Sequence, residues 1–443
     1  MSALIETFKS LSKRKISTFL LVLQYIIGFS SLFTFANFYN SINHFSYNFK
    51  SVADTKKTSF MYNSTGIETL LKGNEQPDYS AFYQYIKGNS DVKNFGTYAY
   101  GSKLLNISAL NSSKRLNLVD ELNIFNKTKQ NIISDKIEEI DVKLLIIDQG
   151  ANEFVKLPLD NGSNFKSNDF GKNHDEMRNI LLGSIFEKFF KVGDIITLQS
   201  DKQEQFKVIG FLKNNTYFYN QGGVITSSLN NLSSALIIPI NKDEEQDKQL
   251  FVARIMRGLL LQLKDNVNYE EASRKINLKA QELKLSEKNE KLDSILKVII
   301  DDFINANLSQ MIIGIFFCIF SSIGLITSLI VTIYSKKREI GIRIAYGASH
   351  LNIFSSLFLE VIFISIISYV GAIIMYILEN NGSIQLIKKQ YSSMNIIDIY
   401  GTIDIYLLLE LLIIAMLMLT VISLIIFNVL KKLQPKDLIG GLE

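Results

Sequence analysis

The 443-residue chain has one cysteine, Cys318, and it falls inside a long apolar run. No disulfide can staple the remainder, so any folded domain must stand on a hydrophobic core. Three histidines are present, His44, His174 and His350, and none pairs at metal-ligand spacing. Together with the single cysteine this argues against a zinc site, and His174-Asp175-Glu176 reads as a solvated acidic loop. No Gly-x-x-x-x-Gly-Lys-Ser/Thr loop occurs, which excludes nucleotide hydrolysis by that route. No Gly-x-Ser-x-Gly nucleophile turn occurs either, and no period of about 20–50 residues marks a repeat fold. The chain is expected to be no enzyme and to bind no cofactor or metal of its own.

Charge is also missing from four long stretches. A hydrocarbon core about 30 Å thick needs roughly 20 apolar residues in a helix. The first stretch has no charge between Lys15 and Lys50, and the second none between Asp302 and Lys336. The third is interrupted only by Glu360 and the fourth only by Glu410, which stands near its outer end, where it can reach the interface. We expect spans at 16–38, 309–334, 351–378 and 405–430. The first is too long for a signal-peptide core and lacks a small-x-small cleavage site, so it reads as a retained anchor.

Lys9, Lys13, Arg14 and Lys15 precede the first span. Lys336, Lys337, Arg338 and Arg343 lie between the second and third, and Lys431, Lys432 and Lys436 follow the fourth. Four spans place all three clusters on one side, with both termini cytoplasmic. Segments 1–15, 335–350 and 431–443 then lie inside, while 39–308 and the short loop 379–404 lie outside. Basic and acidic residues balance within the outer segment, so the formal net charge of +4 belongs to the membrane rim. It does not point to a nucleic-acid partner. The expected class is a polytopic α-helical membrane protein with four transmembrane helices and a large α+β extracytoplasmic domain between the first two. The abundance of Asn, Lys and Ile suits an AT-rich bacterial genome and a bacterial cytoplasmic membrane.

Within the outer segment, Asn40 to Tyr62 reads as a continuing helix that loosens. Tyr79 to Ile86 reads as a short helix stopped by Lys87-Gly88-Asn89. Val142 to Ile147 is a strand-like run, and Ile195–Leu198 with Phe206–Leu212 reads as a hairpin around a polar turn. Ala235 to Ile240 reads as a strand whose Pro239 favours an edge. From Asn268 onward, Ile276, Leu283, Leu292, Ile295, Leu296 and Ile299 recur at helical spacing. Two readings remain for 268–308: a helical stalk entering the second span, or a surface helix of the outer domain. The domain could have two lobes, but periodicity alone draws no boundary.

The stretch from Lys337 to Ser349 carries the strongest signal. It is Lys337-Arg338-Glu339-Ile340-Gly341-Ile342-Arg343-Ile344-Ala345-Tyr346-Gly347-Ala348-Ser349, a basic helix without a clean amphipathic stripe, broken at Gly347-Ala348. Ser349 is placed to cap the third span. A topogenic loop needs the basic residues but not Glu339-Ile340-Gly341 or Gly347-Ala348-Ser349.

This segment resembles the signature of the FtsX-like permease family, and Glu360 matches the Glu of the span that follows it. Ile180–Gly183, Val192–Ile196 and Phe206–Phe211 are similar to the outer domain of MacB-like permeases. Leu433 to Ile439 is similar to their closing tail, although Asp437 stands in place of the usual Ala. The resemblance implies a permease subunit of an ABC transporter, paired with a cytoplasmic ABC ATPase on a separate chain and with a second permease chain. That ATPase would bind the ATP. It also allows an extracytoplasmic accessory protein and contact with membrane lipid. Arg338, Glu339, Ile340, Gly341, Arg343, Gly347 and Ala348 become the expected ATPase-docking residues.

The cargo implied is a peptide, an antibiotic or a lipid-linked molecule. Lipoprotein extraction and control of a cell-wall hydrolase are alternatives within the family, and a receptor for an external ligand is an alternative outside it. Glu360 is expected to hydrogen-bond Ser356 one turn earlier or to stay protonated, as a contact between spans or a proton relay. Gly28 with Ser31, and Gly314 with Cys318 and Ser321, are expected helix-packing positions.

Overall fold

The computed structural model describes residues 14–63, 77–126, 138–173, 175–199, 203–220, 229–390 and 405–432. In chain order, helix α1 (Lys15–Val52) leads into strand β1 (Thr58–Asn63), α2 (Tyr79–Gly88) and β2 (Val92–Asn106). Next come α3 (Ser112–Asn126), β3 (Glu139–Ile147), α4 (Gln149–Phe154), β4 (Leu159–Gly162), β5 (Arg178–Leu182), β6 (Ile195–Gln199) and β7 (Gln203–Leu212). Strands β8 (Tyr217–Tyr219), β9 (Leu229–Asn231) and β10 (Ala235–Pro239) precede α5 (Lys242–Gln246) and α6 (Lys248–Gly258). After β11 (Leu259–Leu263), α7 (Tyr269–Glu282) and β12 (Glu287–Lys291) come the long helices. These are α8 (Leu292–Ser335), α10 (His350–Gln390) and α11 (Ile405–Lys432), with the short α9 (Lys337–Ala345) between the first two.

The chain divides into two units, one of residues 44–301 and one of 1–43 with 302–443. The first is α+β. Among the described residues it carries a ten-stranded sheet in the order β12-β1-β11-β2-β3-β10-β5-β7-β4, with β6 paired to β2 and β7. Strand β2 has 15 residues and serves two cores. Its first half pairs with β11 from Val92 to Thr97, and its second half pairs with β3 from Tyr98 to Asn106. One core gathers Met61, Phe82, Ile86, Leu261 and Ile276, and the other gathers Leu105, Leu118, Ile180, Phe186, Phe206 and Leu236. The lobe boundary that periodicity could not draw therefore runs across β2. At that point Gly96 meets the start of α4: a Cβ on Gly96 would stand 1.9 Å from the backbone nitrogen of Ala151. Asp148 caps α4 through the Ala151 nitrogen (2.8 Å) and accepts from both the backbone and the hydroxyl of Thr97, at 2.7 and 2.6 Å.

Several local expectations match these elements. Helix α2 begins at its Asp78 cap and stops at Asn89, and β6 pairs antiparallel with β7, the expected hairpin. Three do not. The helix expected to loosen toward Tyr62 ends at Val52, and Thr58 to Asn63 is a strand between β11 and β12. Strand β10 is buried along its whole length between β3 and β5, not at an edge. Its ladder with β5 covers only Leu236 and Ile237, so Pro239 stands where that ladder asks nothing of its nitrogen.

The stretch from 268 to 308 is not one helix. Lys284 adopts a left-handed φ of 64°, Leu285 bonds back to the Ala280 carbonyl, and β12 intervenes before α8. The edge strand β12 is Glu-Lys-Asn-Glu-Lys, a charged edge of the kind that discourages further pairing. The Asn277 carboxamide also covers it, accepting from the Asn289 nitrogen (2.7 Å) and donating to its carbonyl (3.3 Å).

Helices α1, α8, α10 and α11 are long and apolar enough to cross a membrane. Thirty-eight residues make α1 about 57 Å long, and α8 is longer, so both exceed a hydrocarbon core.

Candidate functional site

Helix α9 links two of the membrane-length helices. Its own burial pattern shows a stripe that the sequence reading denied: Ile340 and Gly341 are buried, Ile344 packs against the bundle core, and Ala348 is half-buried. The spacing of 340, 341 and 344 is one helical face. The opposite face presents Arg338, Glu339, Ile342, Arg343 and Tyr346, and Tyr346 is 90% exposed. Glu339 and Arg343 pair at 2.7 Å one turn apart, with the acidic member nearer the N-terminus as the helix dipole favours. An exposed pair of this kind stabilises by only ~0.3–0.5 kcal/mol, so it shapes the surface more than it holds the fold.

The helix ends in a Schellman turn. Gly347 takes φ 91°, its nitrogen bonds the Ile344 carbonyl, and the Ala348 nitrogen bonds the Arg343 carbonyl. Ser349 then caps α10 through the Asn352 nitrogen (3.3 Å). Gly347 and Ala348 thus terminate the helix, while Arg338, Glu339 and Arg343 face outward and Ile340 and Gly341 face the bundle.

Glu360 does not pair with Ser356. Its carboxylate meets the Arg14 guanidinium at 2.9 Å, and the Glu360 side chain is 5% exposed. The other nitrogen of Arg14 donates to the Ser328 carbonyl (3.0 Å) and hydroxyl (2.8 Å). Ser356 stands one turn from Glu360 and is the candidate that local sequence offers, whereas Arg14 lies 346 positions away in the chain. Arg14 is level with Glu360, about 15 Å along α10 from its start at His350. It joins the bundle, where a charge requires a partner.

The register of α1 is set by further contacts. Tyr25 bonds Ser322 at 3.0 Å, and Ser368 donates to the Val22 carbonyl at 3.4 Å. Gly28 and Gly314 meet at a close crossing: a Cβ on Gly314 would stand 2.8 Å from Leu32 Cγ and 3.1 Å from the Gly28 carbonyl. Cys318 and Ser31 are buried nearby, and buried Ser321 satisfies itself on the Phe317 carbonyl at 2.6 Å. Glu410 is exposed.

The sequence reading missed a buried charge network in the α+β unit. Arg178 pairs with Glu204, which also accepts from Lys103 at 2.5 Å, and Glu244 stands 3.9 Å from both cations. The Arg178 guanidinium lies 4.6 Å from the centre of the Phe206 ring. Burial lowers the pKa of both Arg178 and Lys103, and Glu244 partly opposes this. A signal was present: Glu204 is in phase with Phe206 and Val208 on β7, and Arg178 with Ile180 and Leu182 on β5.

Among the described residues no cluster of three His, Cys, Asp or Glu could hold a metal ion. His44 contacts Asn48 at 2.9 Å. His174, the closing tail from Leu433 and the loop beyond 390 lie outside the described residues.

No protein-family model and no curated protein matches the chain. Solved structures give weak likenesses. The periplasmic region of MacB from Actinobacillus actinomycetemcomitans is 14% identical, with a TM-score of 0.34, over 56% of this chain and 94% of that one. The extracellular domain of the ABC-type transporter YknZ from Gram-positive bacteria is 17% identical, with a TM-score of 0.31, over 53% of this chain and 99% of that one.

Proposed function

We propose that the chain is the permease subunit of an ABC transporter of the MacB- and FtsX-like kind. A separate cytoplasmic ATPase binds the ATP and docks on α9, and a second permease chain completes the assembly. The observation that carries this reading is α9 itself. It is seated on the bundle by Ile340, Gly341 and Ile344, presents Arg338, Glu339, Ile342, Arg343 and Tyr346 outward, and is stopped by a Schellman turn at Gly347. A loop that served only to orient the chain would need its basic residues and no such built surface.

On this reading both termini are cytoplasmic, and residues 44–301 form the extracytoplasmic domain. ATP-driven movement of the cytoplasmic ends works that domain on a peptide, an antibiotic or a lipid-linked cargo at the outer surface. The chain itself contributes no catalytic group. The test is co-purification from detergent with candidate ABC ATPases, comparing the native chain with Glu339→Arg. Retention by the native chain and loss from the variant supports the docking role. Absence of any ATPase from the native chain overturns the transporter reading and favours a receptor.

A further inference from the structure

We infer that Arg14 and Glu360 are positioning residues that set where α9 stands relative to the first span. The inference concerns α9 as the docking element and to that extent rests on the permease reading.

One guanidinium grips both arms of the hairpin that α9 bridges. Ser328 lies seven residues before the end of α8, and Glu360 lies ten residues after the start of α10. Arg14 reaches the first with one nitrogen and the second with the other, at 2.8 to 3.0 Å. No other residue type matches this pattern: the planar fork supplies several donors in fixed directions, whereas a lysine ammonium is a single point charge. Arg14 also begins α1, since the Thr18 nitrogen bonds its carbonyl at 2.9 Å. The contact therefore fixes the end of α1, not a point along it.

The contacts between α1 and α10 agree on one register. Val22 meets Ser368, Ile26 meets Gly371 and Ser30 meets Met375, each at the same offset as Arg14 and Glu360 to within one residue. The first three are apolar or weakly polar and could slide by a turn at modest cost. The ion pair could not, because a shift of one turn, about 5.4 Å, would leave a carboxylate and a guanidinium unpaired in an apolar setting. Charge therefore selects the register that packing alone permits.

The test needs no ATPase. The full-length chain in lipid nanodiscs carries Cys318→Ser with spin labels at Phe19→Cys and Ala345→Cys, both exposed positions of this unit. The inter-label distance is measured by pulsed electron resonance. Arg14→Met should shift or broaden the distribution by about a helical turn, ~5 Å. Arg14→Lys and Glu360→Gln should each give a smaller shift, and Tyr25→Phe, which removes a polar contact to one arm only, at Ser322 about 9 Å farther from α9 than Ser328, should give none. Should a lone buried charge prevent folding, Arg14→Met/Glu360→Met removes both charges, and the displacement is expected to remain. An unchanged distance in both Arg14→Met and the double variant overturns the inference, as does an equal shift from Tyr25→Phe. Failure of ATPase co-purification would sink the permease reading and leave this distance result standing.

Discussion

A methyl group on Gly28 would stand 2.8 Å from the sulfur of Cys318 and 3.1 Å from its backbone nitrogen. Backbone cannot yield as a side-chain tip can. Gly28→Ala should therefore cost about 1–3 kcal/mol through overpacking. Gly371→Ala meets only the Cδ1 and Cγ1 atoms of Ile26 and should cost less. Thermal midpoints of the full-length chain in one detergent would rank the two, and an equal loss would contradict the crossing.

The two faces of α9 should separate experimentally. Ile340→Asp places a carboxylate in the bundle core and should lower the thermal midpoint. Tyr346→Ala removes an exposed ring and should leave the midpoint unchanged while weakening ATPase retention. Gly347→Ala forces a side chain into a left-handed φ and should cost roughly 1–2 kcal/mol locally. Hydrogen exchange of α9 amides would report that fraying.

Arg178 and Glu204 are both almost wholly buried. Glu204→Ala leaves a guanidinium without its main partner and should destabilise the α+β unit by about 3–5 kcal/mol. Replacing the pair together, as Arg178→Met/Glu204→Leu, leaves Lys103 facing only Glu244 and should recover part of that loss. Hydrogen exchange on β5 and β7 in the full-length chain would measure both. A double variant as damaged as the single would show that the pair contributes net stability.

Glu287 is buried against the Tyr79 hydroxyl at 3.1 Å, and burial pushes its pKa up more than that hydrogen bond lowers it. The folded state therefore holds its proton to higher pH than the unfolded state. Stability is full below the unfolded pKa and falls as pH rises through the folded one. Glu287→Gln should flatten that fall and be the more stable form at neutral pH, with the advantage vanishing below about pH 4, where both states are protonated. Parallel unfolding curves from pH 4 to 8 would show otherwise.

Much of the architecture was legible because one physical signal dominated each part. Long uncharged runs marked the four helices, two strand-like runs flanking a polar turn marked the β6–β7 hairpin, and Ser349 announced its own cap. What stayed hidden depended on partners distant in sequence. Glu287 to Lys291 has no apolar residue and becomes a strand only because β1 offers a free edge. Pro239 looked like an edge residue because its ladder with β5 could not be known to end at Ile237. Arg14 read as a topogenic charge, since nothing near it in sequence names Glu360 or Ser328.

The 15 residues of β2 belong to both cores of the α+β unit, and this binds the fates of its two lobes. A strand hydrogen-bonded at one end into one core and at the other into a second cannot fray from either without exposing apolar groups in both. The lobes should melt in a single transition, and neither should survive excision. Evolution or an engineer could trim loops from this unit freely, but could not inherit half of it.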